Sequence, residues 1–260
     1  MSIASLFSLE GKTALITGGS RGLGLQLAEA LGDAGARLVV SARKPDELEH
    51  AVEHLTKRGL DASWVQANVA EADDARRLAK TALERLGRID VLVNNAGASW
   101  GVPAEEHPLE AWDKVMNLNV RGVFVLSQAV GVGSMIPNRS GSILNIASIA
   151  GLRGNAPDEM QTLAYNTSKA AVINLTRALA GEWGRYGIRV NALAPGFFPS
   201  RMTRGLLDQL GEDKVIGRAP LRRLGDDQDL KGAALLFTSD AGKHITGQTL
   251  AVDGGVSAIL

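Results

Sequence analysis

The residues best suited to chemistry in this sequence are Tyr165 and Lys169, which stand four positions apart in the segment AYNTSK. The chain holds one other tyrosine, Tyr186. Positions i and i+4 share one face of a helix, so the ammonium group would lie near the phenol. A free phenol has a pKa of about 10, and a neighbouring cation lowers it. The spacing therefore predicts an acid/base pair in which Lys169 lowers the pKa of Tyr165.

A glycine-rich turn joins the first apolar run, KTALIT (12–17), to a helical pattern. Its glycines are Gly18, Gly22 and Gly24. Glycine lets a phosphate approach the backbone, and the helix that follows presents free N–H groups and the positive end of its dipole. At the first strand–helix junction of a parallel sheet, such a turn predicts a site for the pyrophosphate of a dinucleotide.

Seven short apolar runs alternate with helical patterns along the chain. They are KTALIT (12–17), RLVVSA (37–42), ASWVQAN (62–68), IDVLVNN (89–95), SILNIAS (142–148), IRVNALA (188–194) and QTLAVD (248–253). Strands that alternate with helices predict a parallel sheet covered on both faces. We expect residues 1–260 to form one α/β, Rossmann-type, doubly wound domain with a seven-stranded parallel sheet. The less periodic stretch 196–225 is interpreted as a substrate loop or lid.

The end of the second predicted strand, VVSARK, bears on the choice of nicotinamide cofactor. Domains that bind NAD place a carboxylate here for the ribose 2′-hydroxyl group, and VVSARK contains none. Arg43 and Lys44 follow the strand instead, and Arg21 lies in the glycine turn. A guanidinium group holds a 2′-phosphate, which a carboxylate would repel. We therefore predict NADP(H) in preference to NAD(H).

The sequence resembles the short-chain dehydrogenase/reductase family over essentially its whole length. The motifs that carry the resemblance are TGGSRGLG (17–24), NNAG (94–97), the Tyr-x-x-x-Lys pair and PG (195–196). The resemblance implies interconversion of a ketone and a secondary alcohol by hydride transfer. Its implied catalytic residues are Asn119, which holds a water near the lysine, Ser148, which binds the substrate oxygen, and the pair Tyr165 and Lys169.

The same resemblance implies a dinucleotide site that runs along much of the chain. Its expected residues are Gly18, Ser20, Arg21, Gly22, Leu23, Gly24, Arg43, Lys44, Asn68, Val69, Asn95, Ala96, Gly97, Tyr165, Lys169, Pro195, Gly196, Phe198 and Ser200. Two features depart from the family. Asn68 stands where the family usually has an aspartate near the adenine. The segment between the serine and the tyrosine is a few residues longer than usual, and its extra residues fall in 153–161.

The substrate is less well defined by the sequence. NNAGASWG (94–101), PGFFPSRMTR (195–204) and LRRLGDD (221–227) are similar to bacterial gluconate 5-dehydrogenases and to 3-oxoacyl-[acyl-carrier-protein] reductases. An apolar wall is expected from Trp100, Phe197 and Met202, which favours an acyl, aromatic or alicyclic ketone. Five arginines could instead hold a carboxylate or dock an acidic carrier protein: Arg153, Arg201, Arg204, Arg222 and Arg223. A non-catalytic dinucleotide sensor is the alternative of another class, and it should have lost the tyrosine or the lysine.

The composition argues against several other classes of protein. Basic and acidic residues number 28 each, which does not indicate a nucleic-acid-binding face. The chain has no cysteine and its four histidines are scattered, so no metal site is predicted. The N-terminus does not resemble a signal peptide, and the apolar run at 122–137 is too short for a membrane span and predicts a buried helix. We expect a cytoplasmic protein, and the resemblance implies a homo-oligomer, either a tetramer or a dimer.

Overall fold

The strands form where the apolar runs predicted them. The computed structural model describes residues 2–155, 160–200, 203, 205 and 211–259. The strands are β1 (Thr13–Thr17), β2 (Arg37–Ala42), β3 (Ala62–Gln66), β4 (Val91–Asn94), β5 (Gly141–Ile146), β6 (Ile188–Pro195) and β7 (Thr249–Val252). They form one sheet in the order β3-β2-β1-β4-β5-β6-β7, and every neighbouring pair is parallel. The prediction of a seven-stranded parallel sheet is confirmed.

Helices cover both faces of this sheet. They are α1 (Ile3–Leu6), α2 (Gly22–Asp33), α3 (Pro45–Lys57), α4 (Ala72–Leu86), α5 (Leu109–Asn138), α6 (Leu163–Trp183), α7 (Glu212–Arg218) and α8 (Lys231–Thr238). Successive strand residues point to opposite faces, so Leu15 enters one apolar core and Ile16 enters the other. Side chains of α4, α5 and α6 complete the first core, and those of α2, α3 and α8 complete the second. The inner strands are apolar on both faces because both faces are buried, whereas the edge strands β3 and β7 are partly exposed.

Helix α5 departs from regular α-helical geometry at two places. Its segments Asn117–Gly122 and Gly131–Met135 are π-helical. At the first, a Cβ added to Gly122 would lie 2.3 Å from the carbonyl oxygen of Val69, just beyond β3. At the second, a Cβ on Gly131 would lie 2.7 Å from the ring of Trp183. Because π-turns in α-helices are often found at functional sites, the first of these bears on the candidate site described below.

Helix α5 is also apolar over much of its length. By length and composition it could cross a membrane, but half of its most apolar window is buried inside the fold. It packs there against α4 and α6. This matches the prediction of a buried helix for the run at 122–137, since a core helix of an α/β domain is apolar for the same reason.

The strand order places a crevice at the carboxyl ends of the sheet. From β1 the chain proceeds outward through β2 and β3, and it then returns to place β4 on the other side of β1. The loops after β1 and β4 therefore diverge to opposite faces. In open α/β sheets, this reversal point is where ligands bind.

Candidate active site

An open cleft crosses the carboxyl ends of the strands at the β1–β4 reversal point. It encloses about 1740 Å³, including space open to solvent. Every residue that the sequence predicted to bind a dinucleotide lines it: Gly18, Ser20, Arg21, Gly22, Leu23, Gly24, Arg43, Lys44, Asn68, Val69, Asn95, Ala96, Gly97, Tyr165, Lys169, Pro195, Gly196, Phe198 and Ser200. The fold thus brings residues from well-separated segments of the chain to one continuous surface.

The glycine turn at the start of α2 has the geometry of an anion cradle. A Cβ added to Gly24 would lie 2.1 Å from the carbonyl oxygen of Gly18, so no other residue fits there. Gly18 and Gly22 have φ angles of +63° and +54°, values that glycine adopts readily. Arg21 is the N-cap residue of α2 and makes no capping hydrogen bond with its side chain. The free N–H groups of this helix end therefore face the cleft and fit a pyrophosphate.

The NNAG segment after β4 locks this turn to the neighbouring strand. The hydroxyl oxygen of Thr17 accepts hydrogen bonds from the backbone N–H groups of Asn95 and Ala96, at 3.0 and 3.1 Å. The side-chain amide of Asn95 donates to the carbonyl oxygens of Thr17 and Gly18, at 2.9 and 3.1 Å. These bonds hold the turn in one conformation, so a ligand meets a surface that is already arranged.

The corner beyond β2 contains a carboxylate that the sequence analysis missed. Glu47, in the first turn of α3, accepts a hydrogen bond from Nη1 of Arg21 at 2.7 Å and lies 3.4 Å from Nζ of Lys44. Arg43 lines the same corner. Ser41, also missed, is buried there, and its hydroxyl has no hydrogen-bond partner among the described residues. The predicted phosphate-binding cations are thus present, but two of them are paired with an acid.

Asn68 begins the turn between β3 and α4. Its backbone N–H donates to a carboxylate oxygen of Asp74 at 2.6 Å, and its side-chain oxygen accepts from the N–H of Ala70 at 3.4 Å. The amide that replaces the family's usual aspartate therefore caps a local turn while it lines the cleft. A contact between Asn68 and an adenine remains a prediction.

Ser148, Tyr165 and Lys169 lie together at the other end of the cleft. Ser148 follows β5, and its hydroxyl is close enough to the phenol of Tyr165 to lower the pKa of that phenol. Lys169 is on the same face of α6 as Tyr165, with its Nζ 5.5 Å from the centre of the tyrosine ring. This Nζ donates to the carbonyl oxygen of Ile146 at 2.7 Å, and the whole residue is only 5% exposed. A phenol, a hydroxyl group and an ammonium group thus surround one point in the cleft.

Burial controls the acidity of this group. Desolvation raises the pKa of Tyr165, and the hydroxyl of Ser148 opposes this only in part. Desolvation also lowers the pKa of Lys169 to about 8. The pKa of Tyr165 is therefore raised in this structure and not lowered as predicted, because burial of the phenol outweighs the effect of the neighbouring Ser148 hydroxyl. At neutral pH, Tyr165 carries its proton and Lys169 is mostly charged.

Asn119 lies behind this group, within the first π-helical segment of α5. Its side-chain amide donates to the carbonyl oxygen of Ala98 and to the hydroxyl of Ser168, both at 2.9 Å. Its oxygen accepts from the N–H of Ala98 at 2.9 Å. Asn119 therefore ties the loop segment after NNAG to the turn of α6 that carries Lys169. The water that the resemblance placed beside Asn119 remains a prediction.

Neither Trp100 nor Phe197, the predicted substrate residues that the structure describes, lines the cleft. Trp100 is 46% exposed, in the segment that pairs with the residues before α6. Phe197 lines an adjacent cavity of about 510 Å³, separated from the cleft by Phe198. Met202 lies outside the described residues, as do Arg201, Arg204 and 156–159 of the lengthened arm. Thr203, not predicted, lines the cleft and hydrogen-bonds Ser200.

Comparison with known proteins gives one consistent family. A family model described as enoyl-(acyl carrier protein) reductase matches residues 18–257. The chain is 41% identical to the gluconate 5-dehydrogenase of Gluconobacter oxydans, over 100% of both chains. It is 40% identical to the rhamnolipids biosynthesis 3-oxoacyl-[acyl-carrier-protein] reductase of Pseudomonas aeruginosa, over 96% of this chain and 97% of that one. The structure of a gluconate 5-dehydrogenase from Burkholderia cenocepacia in complex with NADP and tartrate matches with a TM-score of 0.94 and 35% identity, over 100% of both chains. The protein belongs to the short-chain dehydrogenase/reductase family, whose members are oxidoreductases acting on CH–OH groups.

Proposed function

We propose that the protein is an NADP(H)-dependent reductase that interconverts a ketone and a secondary alcohol. The observation that carries this proposal is the group of Ser148, Tyr165 and Lys169 at the end of a glycine-lined dinucleotide cleft. A nicotinamide ring bound in the cleft would supply the hydride. The proposed preference of the protein for NADP(H) is supported by three cationic residues that line the corner of the cleft beyond β2: Arg21, Arg43 and Lys44.

The chain's own residues would handle the proton and the carbonyl oxygen. As the hydride reaches the carbonyl carbon, negative charge develops on its oxygen. Ser148 would donate a hydrogen bond to this oxygen, and the phenol of Tyr165 would transfer its proton to it. The ammonium group of Lys169 would then stabilise the phenolate that is left behind. A raised phenol pKa suits this direction, because it keeps the proton on Tyr165 until the alkoxide forms.

The preferred substrate in this proposal is an acyl or otherwise largely apolar ketone. Two exposed apolar side chains stand close to the catalytic group in the chain: Leu152, four residues after Ser148, and Leu163, two residues before Tyr165. Gln161, at the described end of the lengthened arm, lies beside the segment that carries Trp100, since the N–H of Val102 donates to its carbonyl oxygen at 2.8 Å. A second candidate is oxidation of a sugar acid such as gluconate, which the full-length similarity to the enzyme of Gluconobacter oxydans favours.

The decisive experiment measures NADPH oxidation by the purified protein with an acetoacetyl thioester, 5-ketogluconate and simple cyclic or aromatic ketones. Tyr165→Phe removes the proton donor and should lower kcat by about a thousandfold or more on every accepted ketone. Tyr186→Phe is the matched control, because it alters the chain's other tyrosine and should leave kcat within about twofold. Full turnover by Tyr165→Phe would refute the mechanism. The ratio of kcat/KM between thioester and 5-ketogluconate decides between the two substrates.

The proposal includes a cytoplasmic location and assembly into a homo-oligomer, either a tetramer or a dimer. Leu109, Phe124 and Val132 on α5 are exposed apolar side chains of the kind that subunit contacts bury. Light scattering on the purified protein tests the assembly, and a monomeric mass would contradict it.

A further inference from the structure

Glu47 occupies the corner of the cleft where a 2′-phosphate would bind. Its carboxylate is only 20% exposed, and one oxygen, Oε1, contacts both Arg21 at 2.7 Å and Lys44 at 3.4 Å. The other oxygen, Oε2, is 3.5 Å from the hydroxyl of Ser20. All four residues line the same cleft. The carboxylate of Glu47 therefore occupies a site surrounded by two cationic groups and a hydroxyl group, where a phosphate could otherwise bind.

The position of Glu47 in the chain differs from that of the acid that marks an NAD site. That acid stands at the end of the second strand, where Ala42 stands here. Glu47 lies in the first turn of α3 and contacts Arg21 of the glycine turn. Glu47 is therefore not found by inspecting the end of the second strand, yet it would lie near the same ribose of a bound dinucleotide.

We propose that Glu47 sets the cofactor preference by competing with the 2′-phosphate for Arg21 and Lys44. This inference rests on the proposed use of a nicotinamide dinucleotide. A 2′-phosphate that binds in this corner must displace the carboxylate of Glu47 from Arg21 and Lys44. The displaced carboxylate then remains next to the phosphate. Like charges at this separation repel, so part of the attraction of the three cations is cancelled.

The competition has an opposite effect on a cofactor without the phosphate. When NAD(H) binds, the carboxylate of Glu47 keeps its contacts with Arg21 and Lys44, so both cations retain a counterion. A carboxylate at this corner can also accept a hydrogen bond from a ribose 2′-hydroxyl group, as the strand-end acid does in NAD sites. Glu47 thus moderates a corner that three cations would otherwise make strictly selective for NADP(H). We expect the protein to use both cofactors, with NADPH preferred.

The test measures the affinities of NADPH and NADH by isothermal titration calorimetry, with no substrate present. Glu47→Gln keeps the shape of the side chain and removes its charge. It should tighten NADPH binding about tenfold and leave NADH binding equal or weaker, because only the phosphate is repelled by the charge. Glu49→Gln is the matched control, since Glu49 is exposed on the same helix and does not line the cleft. The affinities of adenosine 2′,5′-bisphosphate and AMP are compared in the same way. These two ligands differ in the 2′-phosphate and lack the nicotinamide half, so they measure the effect of Glu47 on the phosphate alone.

The possible results distinguish a failure of the inference about Glu47 from a failure of the proposed function. If neither NADPH nor NADH binds the wild-type protein, the proposed function fails and the inference fails with it. If both bind, but Glu47→Gln leaves the ratio of their affinities within about twofold, the inference alone is overturned. An equal change in Glu49→Gln would also overturn it, because a general charge effect would then explain the result. A circular dichroism spectrum and a Tm equal to those of the wild-type protein show that the Glu47→Gln variant is folded.

Discussion

Replacing Lys169 with methionine should make the protein more stable while removing its activity. The lysine is 5% exposed, and burial lowers its pKa from 10.5 to about 8. Holding this charge inside the fold at neutral pH therefore costs about 3 kcal/mol of folding free energy. Methionine has a similar length and no charge to desolvate. It loses the hydrogen bond to Ile146, which contributes about 1 kcal/mol.

The expected net gain for Lys169→Met is about 2 kcal/mol at pH 7, or roughly 4–8 °C in Tm for a chain of this size. The gain must depend on pH in one direction. The wild-type penalty is fully present below pH 8, and it disappears as pH rises through 10.5, above which the lysine is neutral in both states. Urea denaturation followed by circular dichroism at about pH 7 and about pH 10 measures both values.

Lys80→Met is the control for this experiment. Lys80 lies on α4 with its side chain 80% exposed, so its removal should change the free energy of unfolding by less than about 0.5 kcal/mol. A Lys169→Met protein that is less stable than wild type at pH 7 would refute the reasoning. So would a gain of the same size at pH 10, because it could not come from the lysine's charge.

Two further predictions concern the glycine turn and the pH dependence of the reaction. Gly24→Ala should abolish dinucleotide binding in calorimetry and destabilise the protein by about 1–3 kcal/mol, because its Cβ would overlap the carbonyl oxygen of Gly18. Gly181→Ala, at a helix position with open space, should instead stabilise it slightly. The kcat of ketone reduction should be level near neutral pH and fall above about pH 8, as Lys169 loses its proton. A rate that rises through this range would contradict the assigned role of Lys169.

The parts of the fold that could be predicted are those that depend on local sequence. Strands buried on both faces must be apolar along their whole length, and the partly exposed edge strands β3 and β7 still contain enough apolar residues to be visible as runs. Gly18, Gly22 and Gly24 were recognisable because their backbone conformation and close contacts exclude side chains. The cleft followed from these, because the carboxyl ends of parallel strands meet at one edge of the sheet.

The parts that escaped prediction depend on how distant segments pack. Glu47 reaches Arg21 only because α3 folds back beside the glycine turn, 26 residues away in the chain. The raised pKa of Tyr165 comes from its surroundings in three dimensions, whereas the lysine four positions later is visible in the sequence. The π-turn around Asn119 was missed for a different reason, since a helical pattern is read with a regular period.

The π-helical segment around Asn119 is a part of the chain in which a deletion would disturb the cleft. Deleting one residue from Asn117–Gly122 would rotate the rest of α5 by about 100° and separate Asn119 from Ala98. The same deletion would displace Gly122 from its contact with the end of β3, so both ends of the cleft would shift together. The arm at 153–161 has no such double attachment to the cofactor cleft among its described residues. An engineer who wished to alter substrate scope should vary the length of that arm and leave the helix unchanged.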